Sequence, residues 1–165
     1  MLINSIEDIK NNYKHMSRKE LLYESIVYNY LPGIRLAKII GENLFLVDNY
    51  YLKLAALFAH INICKYLINI GLKPTNRVLN QALLNKNDDT EIIKIIMKYI
   101  ELNDIERHTF NRILDIHNYN VLYFLFENGY CHQYIETIID IKMKEKLKLL
   151  IKKSKIKKIC HQLSY

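Results

Sequence analysis

The chain has 165 residues, of which 50% are hydrophobic and 25% charged, with only 4 glycines and 2 prolines. This composition suits one globular domain over residues 1–165 and excludes collagen-like, disordered and disulfide-scaffold proteins. No apolar run has the length of a transmembrane helix, and the first residues lack the pattern of a signal peptide. The three cysteines form an odd set, which favours reduced thiols in the cytosol or nucleus. Of the two, we expect a cytoplasmic location.

The first sequence pattern that predicts a helix lies near the N-terminus. Residues 17–20, Ser-Arg-Lys-Glu, form a capping box that predicts a helix start before Leu21. Three glycines each follow an apolar helical run, where a left-handed residue commonly ends a helix: Gly41, Gly71 and Gly129. Because hairpin dipeptides and strand-like alternation are missing, we predict an all-α fold.

An internal repeat runs through the chain from about residue 50. Shifting the apolar pattern of residues 63–68 by 29 places it over residues 92–97, and a second shift of 29 places it over residues 121–126. In this alignment Ile63, Ile92 and Val121 correspond. A fourth copy, at a shorter step of 25, falls on residues 147–151, and a possible earlier copy spans Leu21 to Gly41.

The first halves of these units match less closely. Each contributes two apolar residues at corresponding positions: Leu52/Ala55, Leu79/Ala82 and Phe110/Ile113. Each unit predicts two short helices joined by a polar turn, at 59–60, 87–89 and 117–118. Such pairs cannot bury their apolar faces alone, so we expect them to stack in a row. We expect three regions in this domain: an N-terminal helical cap or degenerate repeat at 1–49, the best-defined repeats at 50–131, and a C-terminal repeat with a basic capping helix at 132–165.

Residues 52–71 resemble the central part of an ankyrin repeat, L-H-L-A-A-x-x-G-H-L-E-I-V-K-L-L-L-E-K-G. The direct matches are Leu52, Leu54, Ala55, Ala56, His60, Ile63, Lys65, Leu67 and Gly71. The resemblance covers residues from about 50 to 155 and implies a helical-hairpin solenoid that acts as a protein–protein interaction module. Another solenoid of helix pairs stays open as an alternative.

Three departures from the ankyrin pattern stand out. No Thr-Pro precedes the first helices, the step is near 29 residues instead of 33, and only seven residues separate Gly71 from Leu79. They imply that the β-hairpin fingers of the family are shortened or missing. The chain is also rich in Ile, Asn, Lys and Tyr, which have AT-rich codons. In this it is similar to diverged ankyrin-like proteins of large DNA viruses, which would place it in the host cytoplasm.

The resemblance also implies a partner surface, because first helices and connecting tips line the concave side of such stacks. Carried over by position, that surface consists of Lys53, Leu57, Phe58, Arg77, Asn80, Leu84, Asn85, Arg107, Asn111 and Asp115. Leu57 and Phe58 stand where the pattern varies freely. They therefore form either an exposed apolar patch suited to a hot spot or part of the core.

The net charge of +7 is concentrated near the C-terminus. Residues 142–158 hold one acid, Glu145, and the lysines Lys142, Lys144, Lys146, Lys148, Lys152, Lys153, Lys155, Lys157 and Lys158. Apolar residues at 147, 150, 151 and 159 predict a basic amphipathic helix. Such a helix either caps the fold and keeps its lysines in water, or binds nucleic acid or anionic lipid headgroups. The segment lacks interleaved aromatic residues, which disfavours base stacking.

Enzyme signatures are missing from the sequence: there is no phosphate-binding glycine loop, nucleophile elbow or H-E-x-x-H motif. Cys-His-Gln occurs at 131–133 and 160–162, but adjacent ligands fit a zinc site poorly, so we expect neither metal nor cofactor. His60 is expected to form a hydrogen bond within its inter-helix turn, and Cys64 to pack as an inert thiol. We therefore expect a noncatalytic adaptor, with a nucleic-acid or anionic-membrane binder as the alternative.

Overall fold

The computed structural model describes residues 5–101 and 105–162, with the backbone alone for 153–162. Within those ranges the regular structure is helical and contains no β-strand, so the all-α prediction is confirmed. The α-helices of this part are α1 Ile6–Asn12, α2 Arg18–Val27, α3 Leu31–Ile39, α4 Tyr50–Leu57, α5 Ile61–Asn69, α6 Asn76–Leu83, α7 Glu91–Ile96, α8 Arg107–Asp115, α9 Tyr119–Glu127 and α10 Ile141–Gln162.

Consecutive helices pair as hairpins: α2 with α3, α4 with α5, α6 with α7, and α8 with α9. The first helices of successive hairpins also contact one another, from α2 through α4 and α6 to α8. Among the second helices, α5 packs on α7 and α9 packs on α10, while α1 covers α2. Each hairpin therefore buries apolar surface against its neighbours as well as within itself.

Local sequence sets where the helices begin and end. The backbone N–H of Glu20 donates to Ser17 Oγ at 3.2 Å, and the N–H of Ser17 donates to Glu20 Oε2 at 2.8 Å, so the predicted capping box is present. Gly41, Gly71 and Gly129 have φ angles of 88°, 109° and 88° and follow α3, α5 and α9. This left-handed backbone, which strains other residues, ends the helices as expected.

The apolar positions that the 29-residue shift superposes are buried or partly buried in all three second helices, whereas Lys65 and Lys94 are exposed. Ile63, Ile92 and Val121 have no exposed surface. The pairs from the first halves, at 52/55, 79/82 and 110/113, are likewise buried. The core thus runs along the row of hairpins, because each hairpin packs side chains against the hairpin before it and the hairpin after it.

The C-terminal region differs from the hairpins before it. Residues 132–137 form a 3₁₀-helix, and α10 then continues without a break for 22 residues. The predicted fourth copy therefore contains one long helix preceded by a 3₁₀ turn, because its shorter step leaves too few residues for two full α-helices. Leu147 is fully buried, and Leu150 and Ile151 pack partly against the core.

Candidate interaction surface

A small pocket opens between two neighbouring first helices. Tyr50, Lys53, Leu54 and Leu57 of α4 line one wall, and Gln81 of α6 lies opposite. The four α4 residues share one face because their spacing follows the helical period of three and four. The pocket volume is about 220 Å³ and its lining is mainly apolar. Two predicted surface residues, Lys53 and Leu57, are therefore brought together here.

Beside this pocket Lys53, Asp48 and Arg77 form a charged cluster, which we call the rim of the pocket; of the three, Lys53 alone is in the lining. Asp48 Oδ2 accepts hydrogen bonds from Lys53 Nζ at 2.6 Å and from Arg77 Nη1 at 2.8 Å. These two hydrogen bonds, the one from Lys53 first, hold the pKa of Asp48 below its ordinary value. Since two cations share one anion, the rim keeps a net positive charge. Arg77, also predicted as a surface residue, is well exposed at this rim.

Phe58, which the sequence places beside Leu57, is half-buried and covered. The ammonium of Lys86 lies 4.4 Å from the centre of its ring, and the His60 ring stacks on it with centroids 5.6 Å apart. Of the two predicted apolar residues, Leu57 lines the pocket and Phe58 does not.

Leu84 and Asn85 do not lie on the surface, so their assignment to it was wrong. Leu84 is 5% exposed and Asn85 is fully buried. The turn between α6 and α7 is longer than that between α4 and α5, and Asn85 organises it from within. Its amide donates to the carbonyls of Ala82 and Asp89, and its Oδ1 accepts from the N–H groups of Asn87 and Asp89.

The remaining predicted surface residues are accessible. Arg107, Asn111 and Asp115 are exposed and recur every four residues along α8, so they share one face of that helix. Asn80 of α6 is half-buried. None of these four residues lines the pocket between α4 and α6.

Polar bonds between hairpins are concentrated at the inter-helix turns. His60 Nε2 donates to the carbonyl oxygen of Val27 at 3.1 Å, in the preceding hairpin, so its predicted bond within its own turn is wrong. At the corresponding place two units later, the buried amide of Asn118 donates to the carbonyl of Asn85 at 2.8 Å. The Asp88 carboxylate accepts from the N–H groups of Asn120 and Val121 at the start of α9. These bonds fix the spacing of the row.

Burial changes the acid–base properties of two side chains near the turns. It lowers the pKa of His60 below its ordinary value, which the bond to Val27 only partly opposes. It also raises the pKa of the Cys64 thiol to about 12, so this thiol stays protonated and packs in the core. A thiol that stays protonated is a poor nucleophile.

A larger depression of about 540 Å³ lies at the turn before α7 and at the start of α9. It is open and polar, and its groups are already engaged: Asp88 caps α9, and Lys94 lies 5.7 Å from the ring centre of Phe124. Among the described residues, no three His, Cys, Asp or Glu side chains converge as ligands for a metal ion. His132 donates from Nε2 to the carbonyl of Phe126, while the side chains of Cys160 and His161 lie outside the described part.

The basic helix α10 carries its described lysines in three settings. Lys142 and Lys152 are exposed. Lys144 pairs with Glu136 at 2.7 Å and Lys148 with Glu145 at 3.4 Å, whereas Lys146 lies 4.0 Å from the ring centre of Tyr123. The side chains of Lys153, Lys155, Lys157 and Lys158 lie outside the described part.

The sequence analysis missed Tyr50, Leu54 and Gln81 as pocket residues. The available signal was the spacing of positions 50, 53, 54 and 57, which places them on one helical face next to the predicted Lys53 and Leu57. Tyr50 is 43% exposed.

Comparisons of the chain with protein-family models, with curated proteins and with solved structures found no match. In the described ranges, no helix combines the length and the apolar character needed to cross a bilayer.

Proposed function

We propose that this chain is a noncatalytic protein-interaction module, a diverged ankyrin-like row of helical hairpins whose first helices bind a partner protein. The pocket between α4 and α6 is the observation that carries the proposal. Its volume of about 220 Å³ is below the roughly 300–1,000 Å³ typical of small-molecule sites. It suits a single side chain of a partner better than a substrate.

The residues around the pocket indicate which kind of partner side chain it would bind. Leu54 and Leu57 give the pocket an apolar lining. At the rim, Lys53 and Arg77 share the single carboxylate of Asp48, so the net charge there is positive. An apolar side chain flanked by acidic residues is complementary to both features. Tyr50 supplies an aromatic wall with a hydroxyl, the residue type enriched at interface hot spots.

The ankyrin-like assignment is supported by the match of residues 52–71 and by burial that recurs with the 29-residue shift. On the same grounds, and because of the AT-rich codon bias, we extend the proposal to a viral chain that engages a host protein as an adaptor in the host cytoplasm.

Site-specific photo-crosslinking tests this function. A photoreactive phenylalanine analogue placed at Tyr50 is expected to capture a protein from cell extract, and Leu57→Asp in the same chain should abolish the adduct. The matched control places the analogue at Tyr119 of α9, which is 37% exposed but lies outside the pocket. Equal capture from both positions, or capture that survives Leu57→Asp in a variant with unchanged circular dichroism, would overturn the proposal.

A further inference from the structure

Helix α10 has apolar residues on two opposite sides. The inward side, with Leu147 fully buried and Leu150 and Ile151 partly buried, packs on the end of the row at α9. On the outward side, Ile141 is 76% exposed and Leu149 is 59% exposed. Packing against the row explains the inward residues and leaves the outward ones without a structural role.

The outward side continues into the residues before the helix; it is basic from Lys142 onward, whereas Asp140, exposed between Ile139 and Ile141, is acidic. Ile139 is 94% exposed just ahead of α10. Lys142 and Lys152 are exposed next to Ile141 and Leu149. The only acid in residues 142–158 is Glu145, which Lys148 already partners at 3.4 Å. We call Ile139, Ile141, Lys142, Leu149 and Lys152 the outward face of α10.

The orientation of this face is fixed by contacts on the flanks of the helix. Lys146 lies over the ring of Tyr123 in α9, and Lys144 pairs with Glu136 at 2.7 Å. These contacts, together with buried Leu147, keep Ile141 and Leu149 directed away from the row.

We propose that the outward face of α10 binds the surface of an anionic lipid bilayer. Lysines attract anionic headgroups, and exposed aliphatic side chains between them enter the boundary of the acyl chains. A nucleic acid would satisfy the lysines but would leave Ile139, Ile141 and Leu149 in water, and the face offers no aromatic ring for base stacking. A second copy of the chain would bring two lysine-rich segments together and be repelled. This surface is separate from the pocket between α4 and α6.

Fluorescence gives a direct test, because the chain contains no tryptophan. In Leu149→Trp, the indole becomes the only tryptophan, and its emission should shift to shorter wavelength with vesicles of phosphatidylcholine and phosphatidylserine. Vesicles of phosphatidylcholine alone should leave it unchanged. The matched control is Ile39→Trp, at an 80% exposed position of α3 remote from this face in sequence, which should show no shift with either vesicle.

Sedimentation with the same anionic vesicles separates the contribution of the lysines from that of the exposed aliphatic side chains. At low salt, Lys142→Gln/Lys152→Gln should weaken binding about 30-fold, from the usual attraction of each lysine near an anionic surface. Ile141→Ser/Leu149→Ser should weaken it by about tenfold or more. The exposed pair Lys65→Gln/Lys98→Gln, elsewhere on the chain, should change it much less.

Several results would overturn the proposal. One is no binding of the wild-type chain to anionic vesicles at low salt, and another is a Leu149→Trp emission that stays unshifted. Binding that depends on the lysines but not on Ile141 and Leu149, with equal affinity for single-stranded RNA, would indicate a general polyanion site instead. The crosslinking at Tyr50 is independent of all these outcomes.

Discussion

Asn118 offers the sharpest test of how neighbouring hairpins are held together. It is 4% exposed, and its amide donates to the carbonyl oxygen of Asn85, itself fully buried, at 2.8 Å. In Asn118→Ala that carbonyl loses its shorter hydrogen bond and keeps only the one from the N–H of Asp88 at 3.4 Å. Losing such a buried hydrogen bond costs about 1 kcal/mol. For a slope of about 2 kcal/mol per molar, the midpoint of urea unfolding should fall by about 0.5 M.

The control is Asn120→Ala, two residues further on, in the first turn of α9. Asn120 is exposed, and it meets Asp88 through its backbone N–H, which the substitution keeps. Its stability should change by less than about 0.5 kcal/mol, as for most surface positions. If urea unfolding followed by circular dichroism gave the same midpoint for both variants, the bond from Asn118 would contribute nothing and the reasoning would fail.

Three further predictions concern the hairpins α2–α3 and α4–α5. A Cβ on Gly33 would overlap the hydroxyl of Ser25 and lie 2.8 Å from the Tyr30 ring, so Gly33→Ala should lower the free energy of unfolding by about 1–3 kcal/mol. Ser25 Oγ is buried without a partner among the described residues, so Ser25→Ala should be neutral or stabilising in the same urea assay, and a large loss would refute this account. Burial holds the pKa of His60 below its unfolded value of about 6.5, so the folded chain binds fewer protons and should lose stability as pH falls below that value. His60→Asn keeps a donor and should flatten this loss between pH 7 and pH 5; identical pH profiles would contradict the role of burial.

The buried positions of the hairpins could be predicted from the sequence because burial follows helical spacing. Ile63, Ile92 and Val121 share one register and all lie in the core. Leu84 and Asn85 could not be placed correctly, because their environment depends on the length of the turn between α6 and α7. Within that turn the Asn85 side chain bonds to the backbone of residues 87 and 89, which a periodic pattern does not reveal.

The hydrogen bonds between hairpins could not be predicted from the sequence either. His60 was expected to bond within its turn, but its imidazole reaches Val27, 33 residues earlier. Asp88 was placed only in a polar turn, whereas its carboxylate caps the start of α9 in the next hairpin. Such contacts depend on how far one hairpin is displaced from the next, a distance that no local pattern determines.

Cations lie over some of the aromatic rings at the surface of this protein: Lys86 over Phe58 at 4.4 Å and Lys146 over Tyr123 at 4.0 Å. Each contact shields apolar surface and is worth roughly 0.5–1 kcal/mol at an exposed site. Leu149, in contrast, is 59% exposed although lysines surround it in the sequence. Ile39 is more exposed still, so exposure alone assigns no function to either residue. What distinguishes Leu149 is the number of lysines around it, and the comparison of Leu149→Trp with Ile39→Trp on anionic vesicles tests that difference.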